Sequence, residues 1–300
     1  MGLFESLFGK SKGGAKRKGR KPLKRISVPK RFEGLLRTGQ GSMSRVFRTY
    51  DREIGRTVAL KLLDKAKTKR FEDRFPGLNK PTEGEICMAL MHNNIVRTYE
   101  HGITTDGEPY QIMEWVEGLG LNYLVETKSP QLAGKRIEYL GQLCDALQYM
   151  HETKWLHRDL CPRNVMIDKD GVLKLIDFGL TIPYTPPFCV PGNRTGTPDY
   201  LAPELVMRRT TDHRVDMYAL GVTAFEVFAG ALPWERTPSS EENFRRRLNT
   251  PPRNPRDLNP KLDQDVADLL VKSIAKDPQV RFASAREFKD ALAKFKQQDY

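Results

Sequence analysis

His157-Arg-Asp159-Leu-Cys161-Pro-Arg163-Asn164, followed by Asp177-Phe-Gly179, is the stretch that decides how this chain is read. Asp159 and Asn164 stand five residues apart, and a second acid, Asp177, follows thirteen residues after Asn164 and just ahead of a glycine. One carboxylate able to take a hydroxyl proton, with an amide and another carboxylate able to hold divalent cations, is the set that phosphoryl transfer needs. Taken singly, each acid also reads as a turn carboxylate. Their order and spacing argue against coincidence.

Upstream, Glu33–Val46 reads as strand, turn, strand, with Gly39 and Gly41 at the turn. Taken alone, a G-x-G is better read as an ordinary hairpin turn. Thr57-Val-Ala59-Leu-Lys61-Leu-Leu63 is an apolar strand holding one lysine. Burying that ammonium without an anion is costly. A helix is predicted from near Pro81 through His92, with Ile86, Cys87 and Leu90 on the face of Glu83. Glu85 falls about 160° further round and reads as a solvated charge. Tyr110–Gly118 reads as a buried strand ending at a glycine.

Together these segments resemble the protein-kinase catalytic domain, from about Phe32 to about Phe295. The resemblance implies an α+β, bilobal fold: a small β-rich N-lobe with one main helix, residues 32–116 including the hinge, and a larger, mostly helical C-lobe, residues 117–300. It implies ATP and Mg²⁺ as cofactors and an ATP-dependent transfer to Ser/Thr hydroxyls of protein substrates. Gly39 and Gly41 would cover the phosphates, and Lys61 would grip them while paired to Glu83. Val46, Ala59 and Met113 would line the nucleotide pocket, with backbone at Glu114 and Val116 meeting the purine. Asp159 would be the catalytic base, and Asn164 and Asp177 the metal ligands. Gly196–Glu204 resembles the end of an activation segment, Asp216–Gly221 the start of a buried helix, and Arg281 the partner of Glu204.

Several positions depart from the family pattern. Ser44 stands at the third glycine. Cys161 replaces a lysine that usually contacts the γ-phosphate, and Arg163 is the cation that could substitute for it. Arg163, together with Gly120 where some relatives carry an acid, points to acidic or neutral substrates. Arg158 implies binding of an activation-segment phosphate, yet the usual phosphosite is Asn193; Thr181, Tyr184, Thr185 and Thr195 are the other hydroxyls. Tyrosine or dual specificity, a pseudokinase scaffold and a small-molecule kinase are the alternative readings. The presence of Lys61, Glu83, Asp159, Asn164 and Asp177 weighs against the pseudokinase.

The formal charge of +12 over 300 residues is uneven. Residues 1–31 hold eleven Lys and Arg against Glu5, which makes this segment +10. It reads as a basic, disordered tail. Leu3, Phe4, Leu7 and Phe8 share one helical face at its start, and Met1-Gly2-x-x-x-Ser6 fits an N-myristoylation pattern. Attachment of residues 1–25 to an anionic membrane surface competes with a solvated leader. Nucleic-acid binding is the weaker third reading. The four cysteines lack metal or disulfide spacing, no secretory signal is apparent, and Ala219–Trp234 is too short to span a bilayer. A cytoplasmic location is expected, peripheral to the inner face of a membrane if the tail binds lipid.

Overall fold

The structure is a computed structural model that describes residues 23–40, 44–192 and 194–295. It divides into two compact units. One contains the described residues up to His92 together with Val96–Val116; the other contains Asn93–Ile95 and the chain from Glu117 onward. A sheet dominates the first and helices the second, a mixed α+β architecture.

The first unit is built on six strands: β1 (Lys24–Ile26), β2 (Phe32–Gln40), β3 (Ser44–Asp51), β4 (Arg56–Leu63), β5 (Thr98–Thr104) and β6 (Pro109–Glu114), in the order β1-β5-β6-β4-β3-β2. The helices are α1 (Val28–Arg31), α2 (Lys65–Glu72) and α3 (Glu83–Ala89). Period-two alternation divides the sheet. Val58, Leu60 and Leu62 of β4, with Tyr110 and Ile112 of β6, turn to one face and join Ile26 and Phe32 in an apolar core. Val46, Ala59, Lys61, Gln111 and Met113 take the other face, because Lys61 pairs in register with Val46 and Gln111, and Ala59 with Met113.

One expectation is corrected at the N-terminus. Residues 24–31 are not part of a disordered tail. Lys24–Ile26 pair in parallel with Gly102–Thr104, and Gly102 is required there because a Cβ would overlap the carbonyl oxygen of Lys24. Arg31 is buried, its Nη2 2.8 Å from Asp51 and its Nη1 2.6 Å from Glu100. Lys24 reaches Glu53 and Glu100, both at 2.8 Å. These cations find carboxylates on β3, β5 and the turn after β3, and Ile26 joins the apolar core. The remainder of the basic segment, residues 1–22, lies outside the described residues, as do Gly41 and Asn193.

Helix α3 is also shorter than expected, ending at Ala89. Leu90 turns to extended backbone after donating its N–H to Ile86, and the following His92-Asn-Asn favours turn over helix. Ile86, Cys87 and Leu90 are buried, as the helical face requires.

The second unit contains β7 (Gly118–Gly120), α4 (Leu121–Glu126), α5 (Arg136–Glu152), β8 (Trp155–Leu156), β9 (Val165–Asp168), β10 (Leu173–Leu175), β11 (Ile182–Pro183), α6 (Pro203–Val206), α7 (Arg214–Ala229), α8 (Ser240–Asn249), α9 (Pro255–Leu258), α10 (Gln264–Ser273) and α11 (Ala285–Leu292). Helix α7 is apolar on nearly all sides and is correspondingly buried, from Val215 to Ala229, with Glu226 as the exception. Gly230 ends it in the left-handed conformation, at φ 73°. Around it lie α5, α9 and α10; α5 also packs on α11 and against β8 and β10 of the short ladders β11-β8 and β10-β9-β7. Among the described residues no helix is long and apolar enough to cross a membrane.

Candidate active site

In the first unit, Lys61 and Glu83 are both buried and meet at 2.7 Å. The strand sets Lys61 on the face opposite the apolar core, and a capping box sets the helix that carries Glu83. Thr82 is its N-cap: its hydroxyl accepts from the Glu85 N–H, and the Glu85 carboxylate accepts from the Thr82 N–H at 2.8 Å. Glu85 is therefore the cap of α3 as well as a surface charge. The signal Thr82-x-x-Glu85 was present in the sequence. Val46, Ala59 and Met113 share the face of Lys61. Gly39 lies near the end of β2, paired with Val46. Glu114 ends β6 and exchanges two 2.8 Å hydrogen bonds with Arg97, one through each partner's backbone N–H, and Val116 is buried just beyond. Gln111, opposite Lys61 in the ladder, is 1% exposed, and neither atom of its amide has a partner.

In the second unit, the loop that begins at His157 is held from α7. Asp216, at 1% exposure, accepts the backbone N–H groups of His157 and Arg158, each at 2.8 Å, and the Nε2 of His151 at 3.0 Å. Burial alone would push this carboxyl up; the hydrogen bond and charge of His151, the charge of His157 and the Arg158 amide hold it below the usual carboxylate range. The anchor fixes Arg158 at φ 69°, a left-handed conformation unusual for a side chain of this size. His157 is buried edge-on to Phe178, and burial lowers its pKa.

Asp159 follows directly. Its Oδ1 accepts both the N–H and the hydroxyl of Thr197 at 2.7 Å, and its Oδ2 lies 3.3 Å from the Asn164 amide nitrogen. Burial raises its pKa, against which the two Thr197 hydrogen bonds act. Asn164 donates to the Asp159 carbonyl at 2.8 Å, a bond made by Nδ2 that leaves the amide oxygen to face a cation. Asp177 accepts from the Gly179 N–H at 3.0 Å. An amide oxygen and a carboxylate are hard ligands that suit Mg²⁺ when phosphate oxygens complete its shell.

Not every candidate converges. Arg163 is exposed, and no hydrogen bond or ion pair joins its guanidinium to Asp159. Cys161 is buried with its Sγ 3.8 Å from the Thr197 hydroxyl, and burial pushes the thiol up to about 11. It is a neutral packing group. Arg158 is buried with Nη1 3.4 Å from the Thr211 hydroxyl. Of the activation-segment hydroxyls, Thr181 is fully buried and Tyr184 bonds the Nδ1 of His213. Arg281 grips Glu204 through two bonds of 2.8 and 2.9 Å.

The protein kinase domain family matches residues 32–293. The chain belongs to this family. It is similar to the serine/threonine-protein kinase Pkn1 of Myxococcus xanthus, at 33% identity over 87% of this chain and 38% of that protein. It is also similar to the serine/threonine-protein kinase PknB of Mycolicibacterium smegmatis, at 32% identity over 85% of this chain and 41% of that protein. An Aurora kinase of Saccharomyces cerevisiae is 32% identical over 83% of this chain and 65% of that protein. The chain thus spans about two fifths of the length of these bacterial relatives.

Proposed function

We propose that this kinase domain transfers the γ-phosphoryl group of ATP to serine or threonine hydroxyls of protein substrates. The observation that carries the reading is the arrangement at Asp159: one carboxylate oxygen is pinned by Thr197, and the other lies beside Asn164. Pinned in this way, Asp159 orients an acceptor hydroxyl and takes its proton as the bond to phosphorus forms. Asn164 and Asp177 hold Mg²⁺, which neutralises charge on the phosphates when bound. Lys61, held in place by Glu83, grips the α- and β-phosphates. Gly39 and Gly41 cover them, Val46, Ala59 and Met113 line the base, and backbone at Glu114 and Val116 meets the purine. In this scheme residues 32–116 act as the N-lobe and hinge and 117–300 as the C-lobe.

Transfer of radiolabel from ATP to a generic protein substrate tests the reading. Asp159→Asn should lower the rate by about 10³-fold or more. Equal labelling by both proteins would sink it and favour a scaffold.

Arg163 favours a further reading on substrate choice. Exposed and without an ion-pair partner among the described residues, it presents a cation near the acceptor site and prefers acidic or neutral sequences. A peptide library with a strong preference for upstream arginine would refute this. The four free, buried cysteines support a reducing, cytoplasmic setting. The membrane reading made for residues 1–25 is kept for residues 1–22, in preference to nucleic acid, since Lys24 and Arg25 belong to β1. Pelleting with anionic and neutral vesicles, with and without residues 1–22, separates electrostatic attachment from its absence.

A further inference from the structure

We propose that Arg247 is a positioning residue that clamps the substrate platform Pro198–Leu201 and so aligns the acceptor hydroxyl with Asp159; this rests on the kinase reading above. Helix α8 carries three consecutive arginines, and its 100° step per residue sends them in different directions. Arg245 is exposed, and Arg246 pairs with Glu242 at 2.7 Å one turn back. Arg247 instead turns inward and is 5% exposed.

What it meets there is backbone. Its Nη1 donates to the carbonyl of Pro198 at 2.7 Å and to that of Leu201 at 2.9 Å. The closest carboxylate is Asp199, 3.9 Å from Nη2 and already bound to Arg236, and Nε has no partner. A buried guanidinium with so loose a counter-charge is poor stabilisation by itself. Its two short bonds go to the turn that follows Thr197, the residue gripping Asp159.

One further contact ties α8 to the stretch that leads into this turn, and another ties the turn to α7. Phe244, one turn before Arg247, lies under the guanidinium of Arg194 at 4.7 Å from the ring centroid, with Arg247 itself at 5.8 Å. Across the turn, the Tyr200 hydroxyl donates to Glu226 of α7. Gly196, at φ 131°, packs so closely that a Cβ would lie 2.7 Å from the carbonyl of Arg158. The platform is therefore joined to the catalytic loop at Thr197 and Gly196, to α7 at Tyr200 and to α8 at Arg247. The α8 attachment is made by one side chain to two backbone carbonyls of the turn, so a single substitution releases both.

The test compares wild type, Arg247→Met and Arg247→Lys in the full chain, by peptide phosphorylation, peptide-free ATP hydrolysis and amide exchange. Arg247→Met should lower kcat/KM for peptide by about tenfold or more while the KM for ATP and the peptide-free hydrolysis stay within about twofold. Amides from Thr197 to Leu201 should exchange faster, and those of α5 and α7 unchanged. Arg247→Lys, which keeps a donor to one carbonyl, should recover part of both effects. Unchanged peptide kinetics and exchange would overturn the proposal. So would hydrolysis falling in parallel with peptide transfer, which marks a general loss of fold. If the wild type labels no substrate, the kinase reading fails, and the exchange comparison alone decides whether the clamp exists.

Discussion

Lys61 in the first unit depends on a side chain for its place, whereas the loop carrying Asp159 in the second depends on backbone. The ammonium of Lys61 meets the Glu83 carboxylate at the start of a helix only seven residues long. The loop is held by Asp216 through two main-chain N–H groups, on a sixteen-residue helix buried nearly all round. A side-chain pair can be released by a small rotation of its helix; a carboxylate bonded to the peptide chain cannot let go without unfolding the loop. The second unit therefore holds the Asp159 loop pre-organised through its backbone, and the first holds its cation through one side-chain pair.

The largest expected effect breaks the second arrangement. Asp216→Ala leaves the N–H groups of His157 and Arg158 and the ring of His151 without their acceptor, and frees Arg158 from its left-handed backbone. At about 1–3 kcal/mol for each buried polar group left unpaired, the loss should reach about 4 kcal/mol or more. Denaturant unfolding of the variant checks this. If backbone anchoring is the difference between the two regions, ATP turnover should fall with it. A stable, active Asp216→Ala protein would erase the distinction.

Next comes the ion pair that ties the N-terminal segment to the sheet. Arg31→Met strands Asp51, a fully buried carboxylate, and removes a partner from Glu100. Breaking a buried pair from one side costs about 3–5 kcal/mol, and the melting transition should drop accordingly. Arg31→Met/Asp51→Leu, which removes both charges, should recover most of the loss. No recovery would mean that Arg31 acts through its hydrophobic stem.

These two anchors also mark where reading the sequence works and where it does not. The Lys61–Glu83 pair is legible because the kinase resemblance points to Glu83, and Ile86, Cys87 and Leu90 share its helical face. Asp159, Asn164 and Asp177 announce themselves by spacing. Arg31 does not: eleven cations in thirty-one residues read as a solvated run, and its carboxylate partners are scattered over Asp51, Glu53 and Glu100. Arg247 is hidden in the same way among three arginines, since helical phase separates them only once the helix has something to pack against. Charge composition averages over side chains whose energies differ by whole kilocalories according to burial, and burial is a tertiary property. Glu85 is the opposite case, a cap whose local signal was present and which reads as a surface charge if only its angle around the helix is counted.

A smaller effect probes the acid–base character of the second region. Asp159 acts as a base only when ionised, and its pKa is raised by burial, so activity should decline on acidification above the ordinary carboxylate range. The two Thr197 bonds stabilise the ionised form. Thr197→Ala removes the hydroxyl and keeps the backbone N–H, so the acid limb of the kcat profile should move to higher pH. The rate at neutral pH should fall by about tenfold, corresponding to about 1.4 kcal/mol for one bond to a charged group. A shift toward lower pH would mean that the acid limb reports some other group.

The smallest effect sharpens the contrast from the first unit. Gln111 lies opposite Lys61 in the ladder with both ends of its amide buried and unpartnered, a neighbour that neither neutralises nor orients the ammonium. A buried amide without partners is destabilising, so Gln111→Met, of similar length, should raise stability by about 1–2 kcal/mol in denaturant unfolding. If Gln111 serves the site as well as the fold, the more stable variant should turn over ATP more slowly, because the amide lies opposite the lysine assigned to the phosphates. A gain in stability with unchanged turnover would leave Gln111 a packing defect. Loss of stability would mean that the amide binds water in solution, and that this face of the sheet is as fully satisfied as the loop around Asp216.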